Sequence, residues 1–221
     1  MMPVIEAIIF DLDGTIINTE DMWAQATEHM LLARGVNYTD VLKQEIHNRV
    51  HGLPPLKACA IVKQMLKLQD SVDVLAEEKA RRARTLFSGN IRLIDGFQEF
   101  YKKISLQGIK TAVATNCDTH FVALAESEVQ LSSFFKDHVY SIDLVENRNK
   151  PDPAIYLYAA QQIGANNKRC IAIEDSAAGV LAAKNAGMFC IGINTSGNKK
   201  NLIQADIIVN TYWEINLKKV F

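Results

Sequence analysis

Two carboxylates stand two residues apart at the end of a short apolar run, where Ala7–Phe10 leads directly into Asp11-Leu12-Asp13-Gly14-Thr15. In extended chain, residues i and i+2 share a face, so both carboxylates leave the run on the same side. Burying two negative charges together is costly unless a cation or a proton neutralises them. Gly14 allows the sharp exit that such a chain end needs. Taken alone, the same residues are also an ordinary strand-to-turn Asp-Gly signal.

Other polar groups stand at comparable places. The run Thr111–Ala114 ends in Thr115-Asn116, a hydroxyl beside an amide. Lys150-Pro151-Asp152-Pro153 puts a lysine immediately before a helix start, where a helix N-terminus favours anions and proline in the first turn costs nothing. Cys170–Ile173 ends in Glu174-Asp175-Ser176, a second acidic pair, followed by Ala177-Ala178-Gly179. In chain order the sites offer carboxylates, a hydroxyl, a cation and more carboxylates. That set suits a hard, oxygen-seeking cation such as Mg²⁺, held by a few carboxylates together with a phosphate.

The elements that must position these groups follow from the apolar pattern. Short runs recur at Ala7–Phe10, Thr111–Ala114, Val139–Ile142, Cys170–Ile173, Cys190–Ile193 and Ile207–Val209. Continuous runs of this length suit strands buried on both faces. Between them lie helical spacings: Phe97, Phe100, Tyr101 and Ile104; Phe121, Leu124, Ala125 and Val129; Ile155, Tyr158, Ala159 and Ile163; Val180, Ala183 and Ala186. Strand alternating with helix predicts an α/β fold, a Rossmann-like parallel sheet covered on both faces. Ligands bind such sheets at the carboxyl ends of the strands, which is where the polar residues stand. Residues 19–88 break the alternation, with helical periodicity and no convincing strand. Trp23, Ala26 and Met30 line a first helix, Pro54 and Pro55 start a later one through Leu66, and Val74 to Phe87 form a long last one.

Together these residues resemble the haloacid dehalogenase superfamily of phosphotransferases. Asp11-Leu12-Asp13-Gly14-Thr15 is similar to its first motif, Thr115 to its second, Lys150 to its third and Glu174-Asp175 to its fourth, in order over nearly the whole chain. The insert resembles the family's small all-helical C1-type cap, which implies a core of residues 1–18 and 89–221 and a cap domain of 19–88. The resemblance also implies roles. Asp11 would attack phosphorus and form an aspartyl-phosphate; Asp13 would protonate the leaving oxygen and then deprotonate the hydrolytic water. The Asp11 carboxylate, the Asp13 backbone carbonyl and Asp175 would hold Mg²⁺, with Glu174 nearby or bound through water. Thr115, the Asn116 backbone amide and Lys150 would hold the phosphoryl oxygens as charge shifts in the transition state. Asp13 itself favours phosphate over halide chemistry, because a halide leaving group needs no proton.

Within the superfamily the insert most resembles the β-phosphoglucomutase-like branch, which holds both mutases and phosphatases. Its mutases carry a histidine ten residues after the second aspartate, where this chain has Trp23, and a Gly-x-Ser-Arg cap loop, where it reads Gly52-Leu53-Pro54-Pro55. Both departures favour an Mg²⁺-dependent phosphatase of small monoesters, phosphosugars first. A sugar-phosphate mutase and a non-catalytic phosphate-binding relative are the alternatives. Arg49, His51 and Gly52 lie where a cap loop would reach the site in such proteins, and Arg49 is the candidate substrate contact, set against a plain cap-surface charge. His47 and His51 are four apart but lack the glutamate of a zinc-protease helix, so they are not read as a metal site. Cys117 reads as a passive small side chain.

Composition bounds the rest. A length of 221 residues allows one large domain or a domain with an insert. With 48% hydrophobic and 22% charged residues the chain is neither disordered nor collagenous. Lys+Arg number 24 against 25 Asp+Glu, so the clustered positive charge that drives non-specific nucleic-acid binding is missing. The basic run Lys79-Ala80-Arg81-Arg82-Ala83-Arg84 follows Glu77 and Glu78 and reads as a solvated helix face. No signal-peptide pattern opens the chain and no apolar stretch reaches the roughly 18 residues of a membrane span. The four cysteines form no C-x-x-C pair. The expectation is a cytoplasmic monomer whose partner is a small phosphorylated metabolite, with no nucleic acid and no membrane.

Overall fold

The sheet is built from the apolar runs. In the computed structural model, which describes residues 5–219, β1 (Ala7–Phe10), β2 (Lys110–Ala114), β3 (Val139–Tyr140), β4 (Cys170–Glu174), β5 (Phe189–Ile193) and β6 (Ile207–Val209) form one sheet. The order is β3-β2-β1-β4-β5-β6, and every pair is parallel. The four residues of β1 are wholly buried, as expected of a strand covered on both faces. In register, Ile9 faces Ala112 on one side and Ala172 on the other. The chain steps from β1 outward through β2 to β3, then returns to lay β4 against the far side of β1. That reversal is the switch point at which open α/β sheets bind ligands.

Helices α5 (Phe97–Ser105), α6 (Thr119–Val129), α7 (Leu131–Phe135), α8 (Ala154–Gln162) and α9 (Ala177–Asn185) complete this unit. Phe10 packs edge-on against Phe97 and Phe135, with centroids 5.7 and 5.6 Å apart. Such pairs add about 0.5–1.5 kcal/mol each beyond area burial, and they pin the residue just before Asp11. The third run is shorter than its pattern predicts. β3 pairs only with β2, through two residues, and Ile142–Val145 turns into a 3₁₀ helix instead. Asp143 draws the chain away by accepting from the Thr119 amide and hydroxyl, both at 2.7 Å.

The chain divides into two compact units, one taking in the chain up to Asn18 and from Arg92 onward, the other Thr19–Ile91. The second unit is all helix: α1 (Glu20–Leu32), α2 (Asp40–Val50), α3 (Pro55–Leu66) and α4 (Val72–Phe87). Pro55 occupies the first turn of α3, which its fixed φ favours. Ser71 caps α4 by accepting from the Val74 amide. Their apolar faces meet in a core that includes Met30, Leu31, Ile46, Cys59, Val62 and Leu75. Helix α2 has no counterpart in the sequence pattern, since Ile46 is its one buried residue and its periodicity is correspondingly faint.

The basic run on α4 departs from its expected solvation. Arg81 and Arg84 are exposed, but Lys79 is buried. The 3.6-residue period explains it: Leu75, Ala76 and Ala83 are buried on the same stripe, three or four residues from Lys79. No helix among the described residues is long and apolar enough to cross a membrane.

Candidate active site

Sheet pairing carries Asp11 to its place. Its amide donates to the Ile173 carbonyl at 3.0 Å, extending the β1–β4 ladder by one residue and setting Asp11 beside Glu174 and Asp175. The chain then turns tightly, with the Ile16 amide on the Leu12 carbonyl and the Gly14 amide on the Ile17 carbonyl, both at 2.8 Å. Gly14 has φ +73°, and a Cβ there would lie 2.0 Å from Asp175 Oδ2. Both the left-handed backbone and the close approach therefore demand glycine.

Lys150 joins the two acidic strand ends. Its ammonium, 2% exposed, donates to Asp11 Oδ1 and Glu174 Oε1, each at 2.5 Å. Tyr156, from the first turn of α8, donates its hydroxyl to the same Glu174 oxygen at 2.8 Å. The Ser176 hydroxyl donates to the other, Oε2, at 3.1 Å, and also accepts from the Gly179 amide at the start of α9. A Cβ on Gly179 would fall 1.8 Å from Glu174 Oε1, so the small residue makes room for the carboxylate. Charge-assisted bonds of this kind are the strong ones, and they hold Glu174 and Lys150 in one geometry.

Electrostatics show what the cluster lacks. Burial pushes the Asp11 carboxyl up; Lys150 pulls it down, while Glu174, Asp175 and Asp13 push it up again, and the net shift is well upward. Burial alone would lower Lys150, but Asp11 and Glu174 outweigh it and hold the ammonium above the ordinary lysine range. Asp11, Glu174 and Asp175 are all buried and bring carboxylate oxygens within 4.8 Å of one another. One ammonium cannot neutralise three carboxylates. The donor set, oxygen only and in excess of negative charge, fits a hard divalent cation.

The remaining expected residues arrange themselves around this centre. Thr115 is buried at the end of β2, its hydroxyl accepting from the Cys117 amide at 3.0 Å. The Asn116 side chain accepts from the Lys150 backbone amide at 3.0 Å, tying the β2 end to the loop that carries the lysine. Asp13 is half-buried, and the Cys117 thiol donates to its Oδ2. Burial first, and the Asp13 charge next, push the Cys117 thiol well up, so it stays a protonated donor. Arg49 belongs to the helical unit: it sits in the last turn of α2, exposed, 2.9 Å from Glu45 one turn away.

Sequence reasoning did not single out Tyr156 or the Cys117–Asp13 contact. Tyr156 stands beside Ile155 in an apolar helix, and its signal was a phenol on a buried face, which ordinarily seeks a hydrogen-bond partner. Cys117 is 104 residues from Asp13 in the chain, and nothing local marks that pairing.

A family model of haloacid dehalogenase-like hydrolases matches residues 8–193. A phosphorylated carbohydrates phosphatase of Thermotoga maritima is 29% identical over 183 residues, 83% of this chain and 82% of that protein. A validoxylamine A 7'-phosphate phosphatase of Streptomyces hygroscopicus subsp. limoneus is 28% identical, covering 94% of both chains. Among solved structures, a family IA, variant 3 HAD hydrolase of Entamoeba histolytica superposes with a TM-score of 0.83 at 26% identity, over 97% of each chain.

Proposed function

The chain belongs to the haloacid dehalogenase-like hydrolases, and from that premise we propose that it is an Mg²⁺-dependent phosphatase of small phosphate monoesters, phosphosugars first. The observation that carries this reading is the buried Asp11–Lys150–Glu174 chain, with Asp175 beside it, at the switch point of the sheet. The phosphatases of Thermotoga and Streptomyces named above support the substrate class.

In this reading Asp11 is the nucleophile. One of its carboxylate oxygens attacks phosphorus, the P–O bond to the alcohol breaks, and Asp13 gives its proton to the leaving oxygen. A water then attacks the phosphoryl group of the aspartyl-phosphate; Asp13 takes the proton, phosphate leaves and the Asp11 carboxylate is restored. A positioned acid–base group of this kind contributes about 10²–10⁴-fold. The Cys117 thiol, donating to Asp13, orients that carboxyl group between its two proton transfers. Lys150, Thr115 and the Asn116 amide take the phosphoryl oxygens, and Asn116 also holds the lysine's backbone in place. Asp11, Asp175 and the Asp13 carbonyl would hold Mg²⁺, with Glu174, already bonded to Lys150, Tyr156 and Ser176, nearby. Bound there, the cation offsets repulsion between a carboxylate and a dianionic phosphate.

The helical unit is the cap in this proposal, excluding water during transfer and opening for release, with Arg49 as its substrate contact. A monomer in the cytoplasm is part of the same reading. Trp23, packed on Phe87 at 5.2 Å between centroids, has no proton to exchange near neutral pH, which favours hydrolysis over mutase chemistry. Phosphate release from a panel of sugar phosphates, nucleotides and phosphoglycolate, with Mg²⁺ and with EDTA, tests the proposal. Mg²⁺-dependent release from one or two substrates is expected. Conversion of hexose 1-phosphate to hexose 6-phosphate without net release would replace it with a mutase, and silence in both assays with a non-catalytic binder.

A further inference from the structure

The helical unit holds a second cluster of side chains able to bind a metal, one to which the proposed phosphoryl transfer assigns no role. Glu20 opens α1, His47 lies in the last turn of α2, and His51 follows that helix directly. Glu20 Oε1 stands 3.2 Å from Nδ1 of His47 and 3.0 Å from Nδ1 of His51. The two imidazole rings, four residues apart on one face, have centroids 5.0 Å apart and planes tilted by 42°. The glutamate missing between the two histidines in the sequence is supplied by another helix, 27 residues upstream of His47.

These separations are as short as hydrogen bonds, and one carboxylate oxygen faces both imidazoles at once. Glu20 Oε1 is shielded from solvent and receives no hydrogen bond of normal geometry among the described residues. A plain histidine–glutamate contact would point one N–H at the carboxylate, and one histidine would be enough. Ligands sharing a cation behave differently. With bonds of about 2.0–2.1 Å in a tetrahedral arrangement, neighbouring donor atoms stand about 3.3 Å apart and each aims at the common centre.

We propose that Glu20, His47 and His51 form a three-ligand site for a borderline divalent cation of the Zn²⁺ class, with the fourth position open to water. Two nitrogens and one carboxylate oxygen suit Zn²⁺ and not Mg²⁺, which asks for oxygen ligands throughout. The side chains of Glu20 and His47 are 27% and 23% exposed, and that of His51 9%, so the cluster is walled yet reachable. Burial holds His47 below the usual histidine range, against the pull of Glu20; a neutral imidazole is the form that binds metal. A cation held there ties the start of α1 to the end of α2, stabilising the unit only when metal is present. The proposal does not rest on the phosphatase reading, since Glu20, His47 and His51 all lie in the helical unit.

The test is a titration of the metal-stripped full chain with Co²⁺, followed by competition with Zn²⁺. A tetrahedral nitrogen–oxygen site absorbs strongly in the visible, whereas an octahedral all-oxygen site is nearly colourless. The expected result is one strongly absorbing Co²⁺ per chain, displaced by Zn²⁺ and retained in Asp175→Asn. In Glu20→Gln and in His47→Gln the affinity falls more than the roughly 10–100-fold typical of losing an outer-shell partner. The same two variants lose the rise in Tm that Zn²⁺ gives the unaltered chain. Absence of the band in the unaltered chain overturns the proposal even if both variants fail to fold. So does a band that survives in both variants, or one that disappears in Asp175→Asn, which would place the ion at the Asp11 cluster.

Discussion

Among the described residues each unit buries one lysine, and the two surroundings drive it in opposite directions. In the α/β unit Lys150 is 2% exposed and bonded to two carboxylates, and its ammonium is held above the ordinary range. In the helical unit Lys79 is 7% exposed, its Nζ 5.5 Å from the centre of the Trp23 ring. There burial is the larger influence and lowers its pKa, with only a counter-pull from the Cys59 thiol. A ring face returns about 0.5–2 kcal/mol to a cation, far less than two carboxylates in direct contact. Burial by itself therefore says little about a charge; the partners that burial brings with it decide whether the charge is kept. Lys150 is part of a built polar centre, while Lys79 is a cation carried into an apolar stripe by helical spacing.

The sharpest break in the comparison is chemical. Asp11→Asn removes the charge from one of Lys150's two carboxylate partners but leaves Glu174, so the fold is expected to survive while steady-state phosphate release drops by at least about 10⁴-fold. Release within tenfold of the unaltered enzyme would dismiss Asp11 as nucleophile. Next comes Lys150→Met, which leaves Asp11 and Glu174 buried without their shared cation. Breaking a buried ion pair from one side costs about 3–5 kcal/mol, readable as a lowered midpoint in urea. The equivalent change in the helical unit, Lys79→Met, should have the reverse sign. It replaces a poorly compensated cation by an apolar chain of similar length, and stability near neutral pH should be unchanged or higher by about 1 kcal/mol. A loss as large as that of Lys150→Met would erase the distinction between the two lysines.

The smallest effect is in the pH dependence. Lys79 binds its proton less tightly when folded than when unfolded, so the unfolded chain holds more proton between its depressed value and the ordinary 10.5. The contribution of Lys79 to stability should accordingly rise with pH across that window. Lys150 is the converse: its stabilisation is fully present below 10.5 and is lost only as pH climbs through its raised folded-state value. Buried thiols such as Cys190, raised by burial, lower stability over the same range, so urea unfolding from about pH 8 to about pH 10 should show stability falling more steeply in Lys79→Met than in the unaltered chain.

Much of the catalytic candidate was legible beforehand. Ala7–Phe10 and Ile207–Val209 are strands over the residues their runs mark out. Asp11, Thr115, Glu174 and Asp175 stand at strand ends because each apolar run stops at its first polar residue, and a parallel sheet collects those ends on one edge. Val139–Ile142 misled for a related reason. An edge strand has a single neighbour, and the side chain of Asp143 competes successfully for the chain.

What the sequence determined by itself is therefore local and periodic: the alternation of strand and helix, the polar strand ends, the helical insert and the proline that starts α3. What only the tertiary structure decided is which distant side chains meet. Lys150 reaches Asp11 across 139 residues, Tyr156 finds Glu174, Lys79 turns inward, and Glu20 arrives between two histidines of another helix. Backbone conformation follows from neighbours within a few residues, and apolar spacing records it. Side-chain partnership depends on how whole elements pack, and a single sequence carries no spacing rule for that.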